Sequence, residues 1–499
     1  MTGKFPGVSS KVAVRTPVSA SAFGLAIAVL SGLQLMVVLD GTVANLALAR
    51  LQTELHLSDA SRNAVVTSYA LAFGGLMLLG GRLGDSFGRK KMFLLGVGMF
   101  TGASLMCGLA INDVMLVAAR ALQGTGAAIA SPTAFALVAT TFAAGPARNQ
   151  AIAIFAAMTG VGSIAGLVIG GALTEVSWRW IFLINVPIGV VVLLGARVAL
   201  QETAHRRLAL DLPGAVLATA GCTAIVYGLS AGPEKGWDNL VVIGALLAGV
   251  AMMLIFLVVE AEAENPLLPF KLFHDKDRVA TFVAIFFASA VMFCMAVYVA
   301  LFVQDVLQFS PLHAGIAFMP FAFGLGSAAF IASKLAMRVE ARWLVIVGGV
   351  IMVIGLMYGS TLDGSATYFG NLFVPVLAIG FGVGLAVVPL PLCAIAGVGP
   401  QEIGPLTAIT QVAQTLGGPL ALAFISVMAS SRTLSLGGSI GPAREMTDSQ
   451  VAALGAGYAF ALVGCAACAG IAAIVAYFIR FTPSQVAQAQ AVQDEVVTH

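Results

Sequence analysis

The sequence predicts an all-α, polytopic membrane protein with fourteen spanning helices, arranged as six, an inserted pair and six. Three observations lead there. The 499-residue chain is 59% hydrophobic and 10% charged, with a mean hydropathy of +0.99, whereas soluble domains run at about 45–50% apolar and about 25% charged residues. Apolar runs between polar breaks recur fourteen times, at lengths close to the roughly 20 residues that one bilayer crossing requires. Finally, Ala72-Phe73-Gly74 and the basic loop ending in Lys91 are echoed by Ala322-Phe323-Gly324 and the basic loop Lys334, Arg338, Arg342. The offset of 250 residues equals six spans plus the inserted pair and its linkers, the mark of a two-half design.

Taken in order, the first six spans fall near 20–48, 62–81, 92–111, 114–141, 149–174 and 179–199. The inserted pair falls near 212–231 and 239–260, and the last six near 279–304, 312–337, 343–362, 369–391, 405–430 and 453–479. The implied organisation is a bundle over 1–200, the pair over 201–264, a cytoplasmic linker over 265–278, a second bundle over 279–480 and a tail over 481–499. The opening apolar run, 22–39, is too long for a cleaved signal and reads as the first span.

Charge placement orients the chain. If loops alternate faces, eighteen of the 25 Lys and Arg residues share the N-terminal side, six lie opposite and one lies within a span. That bias places both ends in the cytoplasm. The net charge of +2 is near neutral, and no nucleic-acid partner is expected. Six cysteines are scattered, mostly in apolar runs, and suggest packing rather than disulfides. Cys465-Ala-Ala-Cys468 has metal-motif spacing but no neighbouring histidine, so it too reads as packing.

GGRLGDSFGRKK, residues 80–91, carries five charges in twelve residues. As a cytoplasmic loop between spans 2 and 3 it anchors orientation through Arg89, Lys90 and Lys91. Anchoring leaves Asp85 and the glycines unexplained. Gly80, Gly81, Gly84 and Gly88 permit a tight turn and close helix approach, and Asp85 can accept from arginines or a helix N-terminus.

This loop resembles the helix 2–3 motif of the major facilitator superfamily, and the chain is similar to its fourteen-helix drug:proton antiporter branch. LDGTVANLAL (39–48), RALQGTGAA (120–128) and SWRWIFLINVPIG (177–189) resemble that branch's motifs in helices 1, 4 and 6. The resemblance covers nearly the whole chain. It implies a major facilitator fold, proton-coupled export, and a conformational latch made by Gly81, Arg82, Gly84, Asp85, Gly88 and Arg89. In helix 5 the branch usually has Gly-Pro, where this chain has Ala165-Gly166. Gly162, Gly166 and Gly170 still recur every four residues, a face suited to close helix packing. Arg50 is a second departure, a charge just after the helix 1 motif.

Ionisable groups inside spans are costly and therefore functional candidates. Asp40 follows an eighteen-residue, mostly apolar run, and Arg120 sits about seven residues into span 4. At about 1.5 Å per residue, both lie roughly 10–12 Å from the outer helix ends. Burial disfavours a charged aspartate and a guanidinium favours it, so such a pair holds a proton-sensitive balance. The resemblance implies proton coupling at these two positions. Gln34, Asn45, Gln123, Gln304, Gln411 and Gln414 are polar positions in spans that could line a central cavity. Glu175 and Asp305 sit near outer helix ends, where water makes charge inexpensive. With Asp40 as the one clearly embedded acid, the cargo is expected to be neutral or amphiphilic. Trp178 and Trp180 are expected at the membrane interface, and Gly437-Gly438 within TLSLGGSIG suggests a hairpin turn.

Enzymatic signals are poor. Gly-x-Ser-x-Gly strings, such as those around Ser230 and Ser439, lack the strand-to-helix context of a nucleophile elbow. There is no Gly-x-x-x-x-Gly-Lys-Ser/Thr phosphate loop. The expected protein is a monomeric secondary exporter without cofactor or metal, driven by the proton motive force, whose partners are protons, membrane lipid and an amphipathic cargo. The alternatives are a lipid translocator with a laterally open cavity and a non-transporting ligand sensor.

Overall fold

The computed structural model describes residues 20–142, 146–202, 211–262, 274–335, 338–398 and 400–485. They form fourteen long helices. The first six are α1 (Ala20–Glu54), α2 (Asp59–Phe87), α3 (Arg89–Gly108), α4 (Asp113–Thr141), α5 (Pro146–Val176) and α6 (Arg179–Ala199). Then come α7 (Leu212–Lys235) and α8 (Leu240–Glu262). The last six are α9 (Lys276–Val306), α10 (Pro311–Leu335), α11 (Ala341–Gly359), α12 (Tyr368–Ala394), α13 (Pro400–Ser435) and α14 (Asp448–Ala476). Thirteen are long and apolar enough to cross a bilayer, and α5 runs beside them in contact with α1. Most of the linker expected over 265–278, and the tail beyond 485, lie outside the described residues.

Side-chain caps start many of these helices. Ser58, Asn112, Asp211, Asp275 and Ser310 each accept a backbone N–H from the first turn of α2, α4, α7, α9 and α10, and Thr447 with Gln450 forms a capping box on α14. The expected hairpin at 433–441 is a helix end instead. Gly437 takes φ 76°, its N–H donates to Leu434 O at 3.0 Å, and the Gly438 N–H donates to Thr433 O at 3.0 Å. That is a Schellman stop, in which the glycine's left-handed conformation satisfies the last carbonyls of α13.

The two sets of six pack by the same rule. In the first, α2 and α3 both lie on α4, and α1 lies on α5; in the second, α10 and α11 both lie on α12, and α9 lies on α13. Glycine enables the equivalent close approach in each. A Cβ on Gly124 of α4 would strike the Tyr69 carbonyl oxygen of α2, and one on Gly380 of α12 would strike the Phe321 carbonyl oxygen of α10. Between sets the contacts are again paired, α2 with α13 and α5 with α10, while the inserted pair packs on itself and through α7 on α2 and α13. The sequence echo at an offset of 250 residues is thus a structural repeat.

At the end opposite the 80–91 loop, here called the far end, the two sets meet closely. Gly171 of α5 backs onto the Pro311-Leu312 backbone, and Gly315 of α10 leaves no room for a Cβ against the Leu167 carbonyl. Polar contacts join the same end: Arg62 to Tyr458 at 3.3 Å, Glu175 with Ser310, and His56 with Glu445 at 3.7 Å.

Candidate functional site

Asp40 and Arg120 are neighbours, as the depth estimate required. The Arg120 Nη1 donates to Asp40 Oδ2 at 2.5 Å, and the two side chains are 0% and 1% exposed, so neither charge has water to solvate it. Three further helices complete the solvation. Asp40 Oδ1 accepts from Gln123 Nε2 at 2.7 Å and from Asn185 Nδ2, at the start of the main run of α6, at 3.0 Å. Gln123 also donates to Ser104 Oγ on α3 at 2.9 Å, and its Oε1 accepts from Arg120 Nη1 at 2.7 Å. Arg120 Nε donates to the Val65 carbonyl of α2 at 2.9 Å. The guanidinium carbon sits 4.4 Å from the Tyr69 ring centroid and 5.6 Å from that of Phe182.

Such a buried pair holds only with good geometry and fully satisfied partners. One proton on Asp40 removes the net attraction and leaves Arg120 with a carbonyl, an amide oxygen and aromatic faces. A single protonation therefore acts on contacts among α1, α2, α3, α4 and α6 together.

The glycine row on α5 faces α1, beside Asp40. Gly162 lies against Val38 and Leu35, Gly166 against Thr42, and Gly170 against Val43. Ala165 and Gly166 pass this contact without a proline. Arg50, the unexpected charge, donates to the Thr174 carbonyl of α5 and pairs with Glu54 at 3.9 Å, tying the far ends of α1 and α5 together.

The stretch expected as a loop over 80–91 is instead the end of α2 and the start of α3, joined by Gly88 alone. Asp85 accepts from Arg89 Nη2 at 2.8 Å, so this pair spans that turn. Gly84 meets Thr133 of α4, and Gly81 stands beside Pro132, where an added Cβ would make ordinary contact. Gly88 turns the chain at φ 102°. The sequence reading missed Glu202, whose two carboxylate oxygens accept the Lys90 and Lys91 backbone N–H groups at 3.0 Å each. It caps α3 at the end where the helix dipole favours an anion. Lys90 reaches back to the Arg197 and Leu200 carbonyls at the end of α6. The dense charge of the loop thus stitches α2, α3 and α6 at one end, and Arg82 is half-buried there.

Of the expected cavity residues, Gln123 belongs instead to the Asp40 cluster. Gln304 is buried and donates to the Ala300 carbonyl one turn earlier in its own helix. Asn45 is half-buried with Oδ1 unpaired. Gln34 and Gln414 are half-buried and Gln411 is exposed.

Three expectations are corrected at the far end. Trp178 is fully buried rather than interfacial, because its indole donates to Glu54 at 2.8 Å and its ring carries Arg179 at 4.4 Å. Asp305 is 9% exposed. Its helix ends in a π turn, Phe302–Val306, that aims it at α14 instead of at water. Nor is Asp40 the one embedded acid, since Asp59 and Glu260 are also buried.

Two repeats of six helices, a carboxylate–guanidinium pair sealed inside the first of them, and a glycine-hinged basic turn define a membrane transporter and not an enzyme. The chain belongs to the Major Facilitator Superfamily, whose family model matches residues 30–422. It is 51% identical over 475 residues, 95% of its own length and 90% of the relative's, to the uncharacterized MFS-type transporter EfpA of Mycobacterium tuberculosis. It is 37% identical to the puromycin resistance protein pur8 of Streptomyces alboniger, covering 80% of each chain. It is 39% identical to the cephamycin export protein CmcT of Amycolatopsis lactamdurans, covering 80% of this chain and 83% of that one. Among solved structures, the fold matches the POT family transporter PepTSo at a TM-score of 0.66 and 16% identity, over 96% of this chain and 99% of that one. A bacterial homolog of the human lysosomal transporter Spinster matches at 0.64 and 17%, over 94% and 99%.

Proposed function

We propose that this protein exports amphipathic small molecules in exchange for protons, working as a monomer in a bacterial plasma membrane with both termini in the cytoplasm. The observation that carries the reading is the Asp40–Arg120 pair, dry, bonded to residues of α2, α4 and α6 and joined through Gln123 to α3. Protonation of Asp40 cancels the attraction. The Asn185 amide then offers a second use, since its Oδ1 is unpaired and a rotation of the amide would present it to the new O–H. Relatives named for puromycin resistance and cephamycin export support an outward direction and a small-molecule cargo. An open cleft of about 480 Å³, lined by Phe309, His313, Tyr368 and Phe369, lies in the size range of small-molecule sites and offers aromatic faces with a polar edge.

The drive is sufficient without a cofactor. At about 2.3 kcal/mol per charge per 100 mV, one proton per cycle supports a gradient of neutral cargo of roughly 30–50-fold. The test is export by purified protein in liposomes under an imposed pH gradient, with puromycin and a fluorescent phospholipid as rival cargoes. Acid-driven puromycin movement supports the reading; lipid movement alone replaces it with translocation, and binding without movement replaces it with a sensor.

The Asp85–Arg89 pair gives a second expected outcome. A latch that trades partners between states needs the charge of Asp85, so Asp85→Asn should lower turnover about tenfold, an added barrier of about 1.4 kcal/mol, with cargo affinity unchanged. Turnover equal to the parent's would reduce the loop to an anchor.

A further inference from the structure

Arg62 stands at the very edge of the second expected span, 62–81. In the structure it is 2% exposed and lies three residues into α2, at the far end. Its Nη1 donates to Gln52 Oε1 at 2.8 Å and pairs with Asp59 at 3.2 Å. Gln52 in turn donates to the same Asp59 oxygen at 2.6 Å. The same Nη1 donates across to the hydroxyl of Tyr458 on α14 at 3.3 Å, and that hydroxyl donates to Asp305 Oδ2 at 3.2 Å. A cation of the first six helices is thus joined to an acid of the last six through one phenol. The Arg62 Nε is buried and unpaired, and a partly open cavity of about 10 Å³, lined by Arg62, Asp59, Tyr298, Ser426 and Tyr458, is about the size of one water.

Charge counting decides the state of this cluster. Its buried members are one guanidinium, Arg62, and two acids, Asp59 and Asp305. The buried phenols Tyr298 and Tyr458 stay neutral near pH 7. Beyond them stand exposed Arg444 on the turn before α14, and the water-facing His56–Glu445 pair, both screened by solvent. Asp59 takes the guanidinium directly, so an ionised Asp305 would be buried with only a hydroxyl for company, a costly arrangement. An opening of the far end would separate Arg62 from Asp305 and let water solvate both.

We propose that Asp305 is a second proton site, and that closing the far end takes up one proton there from the far side. This rests on the transporter reading, and adds to it a step that Asp40 does not supply. The proton bound at Asp305 returns to the side it came from on reopening. It therefore carries no net flux, and makes acidity on the far side favour closure and return of the empty carrier. The sign follows from linkage: the closed state binds one more proton than the open one, so the open-to-closed ratio rises with pH, by up to about tenfold per pH unit.

The test uses the full chain in lipid nanodiscs with spin labels at Ile111→Cys and Ser449→Cys, exposed far-end positions on opposite sets of helices. Distances are measured from pH 5 to pH 8 in an Asp40→Asn background, which removes the first site. A long-distance population that grows with pH supports the proposal when Asp305→Asn, which mimics the protonated acid, abolishes the growth and holds the far end closed. Tyr458→Phe should lose the bridge and shift the population towards open at every pH. An unaltered pH slope in Asp305→Asn, a far end opened by that variant, or no slope in the parent overturns the proposal. Liposome export by protein retaining Asp40 reports separately on the transporter reading: export without the slope sinks only the proton site, and a slope without export sinks only exchange.

Discussion

Asp40→Asn should leave a folded, cargo-binding protein whose pH-driven export has fallen by two orders of magnitude or more, at least about 2.7 kcal/mol. The amide is nearly the shape of the acid. It keeps an oxygen for Arg120 or Gln123 and cannot ionise, so the cluster stays in its protonated arrangement through the whole cycle. Binding should persist because Asp40 is fully buried among Arg120, Gln123 and Asn185 and touches no open surface. The discriminating measurement is paired: equilibrium binding of labelled cargo, and export under an imposed pH gradient. Export at the parent's rate would remove Asp40 from the mechanism. Loss of binding and export together would make the pair a scaffold of the cargo site.

Much of this cluster was legible in the chain. Asp40 and Arg120 stand out because charge among apolar residues has no bland explanation at mid-span, and a rise of about 1.5 Å per residue put them at one depth. Gln123 was visible as a polar residue in a span, but not its allegiance, because a turn of helix offers several faces and only packing selects one. Asn185 lay inside the quoted helix 6 motif and Ser104 inside an apolar run; neither has a sequence feature that says which oxygen it meets. Glu202 was out of reach for another reason, since its role depends on α6 returning beside the start of α3.

The far end shows the limit of reading spans by hydropathy. Arg62, Asp59 and Asp305 fall where apolar runs begin or stop, and at such boundaries a charge is ordinarily assigned to water. The helices run further than the apolar cores do: α1 continues to Glu54 and α2 begins at Asp59. Their extra turns meet α9 and α14 from the other repeat, so burial arises from contact between halves, which no local window contains. The repeat itself was legible, because Ala-Phe-Gly and a basic loop recur in both halves. The glycines Gly124 and Gly380, which let the fourth helix of each set approach the second, carried no such mark in the sequence.

Arg120→Met should destabilise the protein by about 3–5 kcal/mol, the usual cost of leaving one member of a buried ion pair alone. Asp40 would then hold an ionised carboxylate against two amides in a dry interior, or take up a proton and abandon the arrangement. The aromatic box of Tyr69 and Phe182 accepts the methionine's bulk, and its sulfur suits aromatic neighbours, so a packing defect contributes little and the orphaned charge dominates. Adding Asp40→Asn removes that charge, and the double variant should recover most of the lost stability while remaining unable to couple. Thermal unfolding of the three variants in one detergent measures the cycle. Equal stability of Arg120→Met and the double variant would show that packing, not charge, sets the cost, and would take from the pair its capacity to bias five helices by one proton.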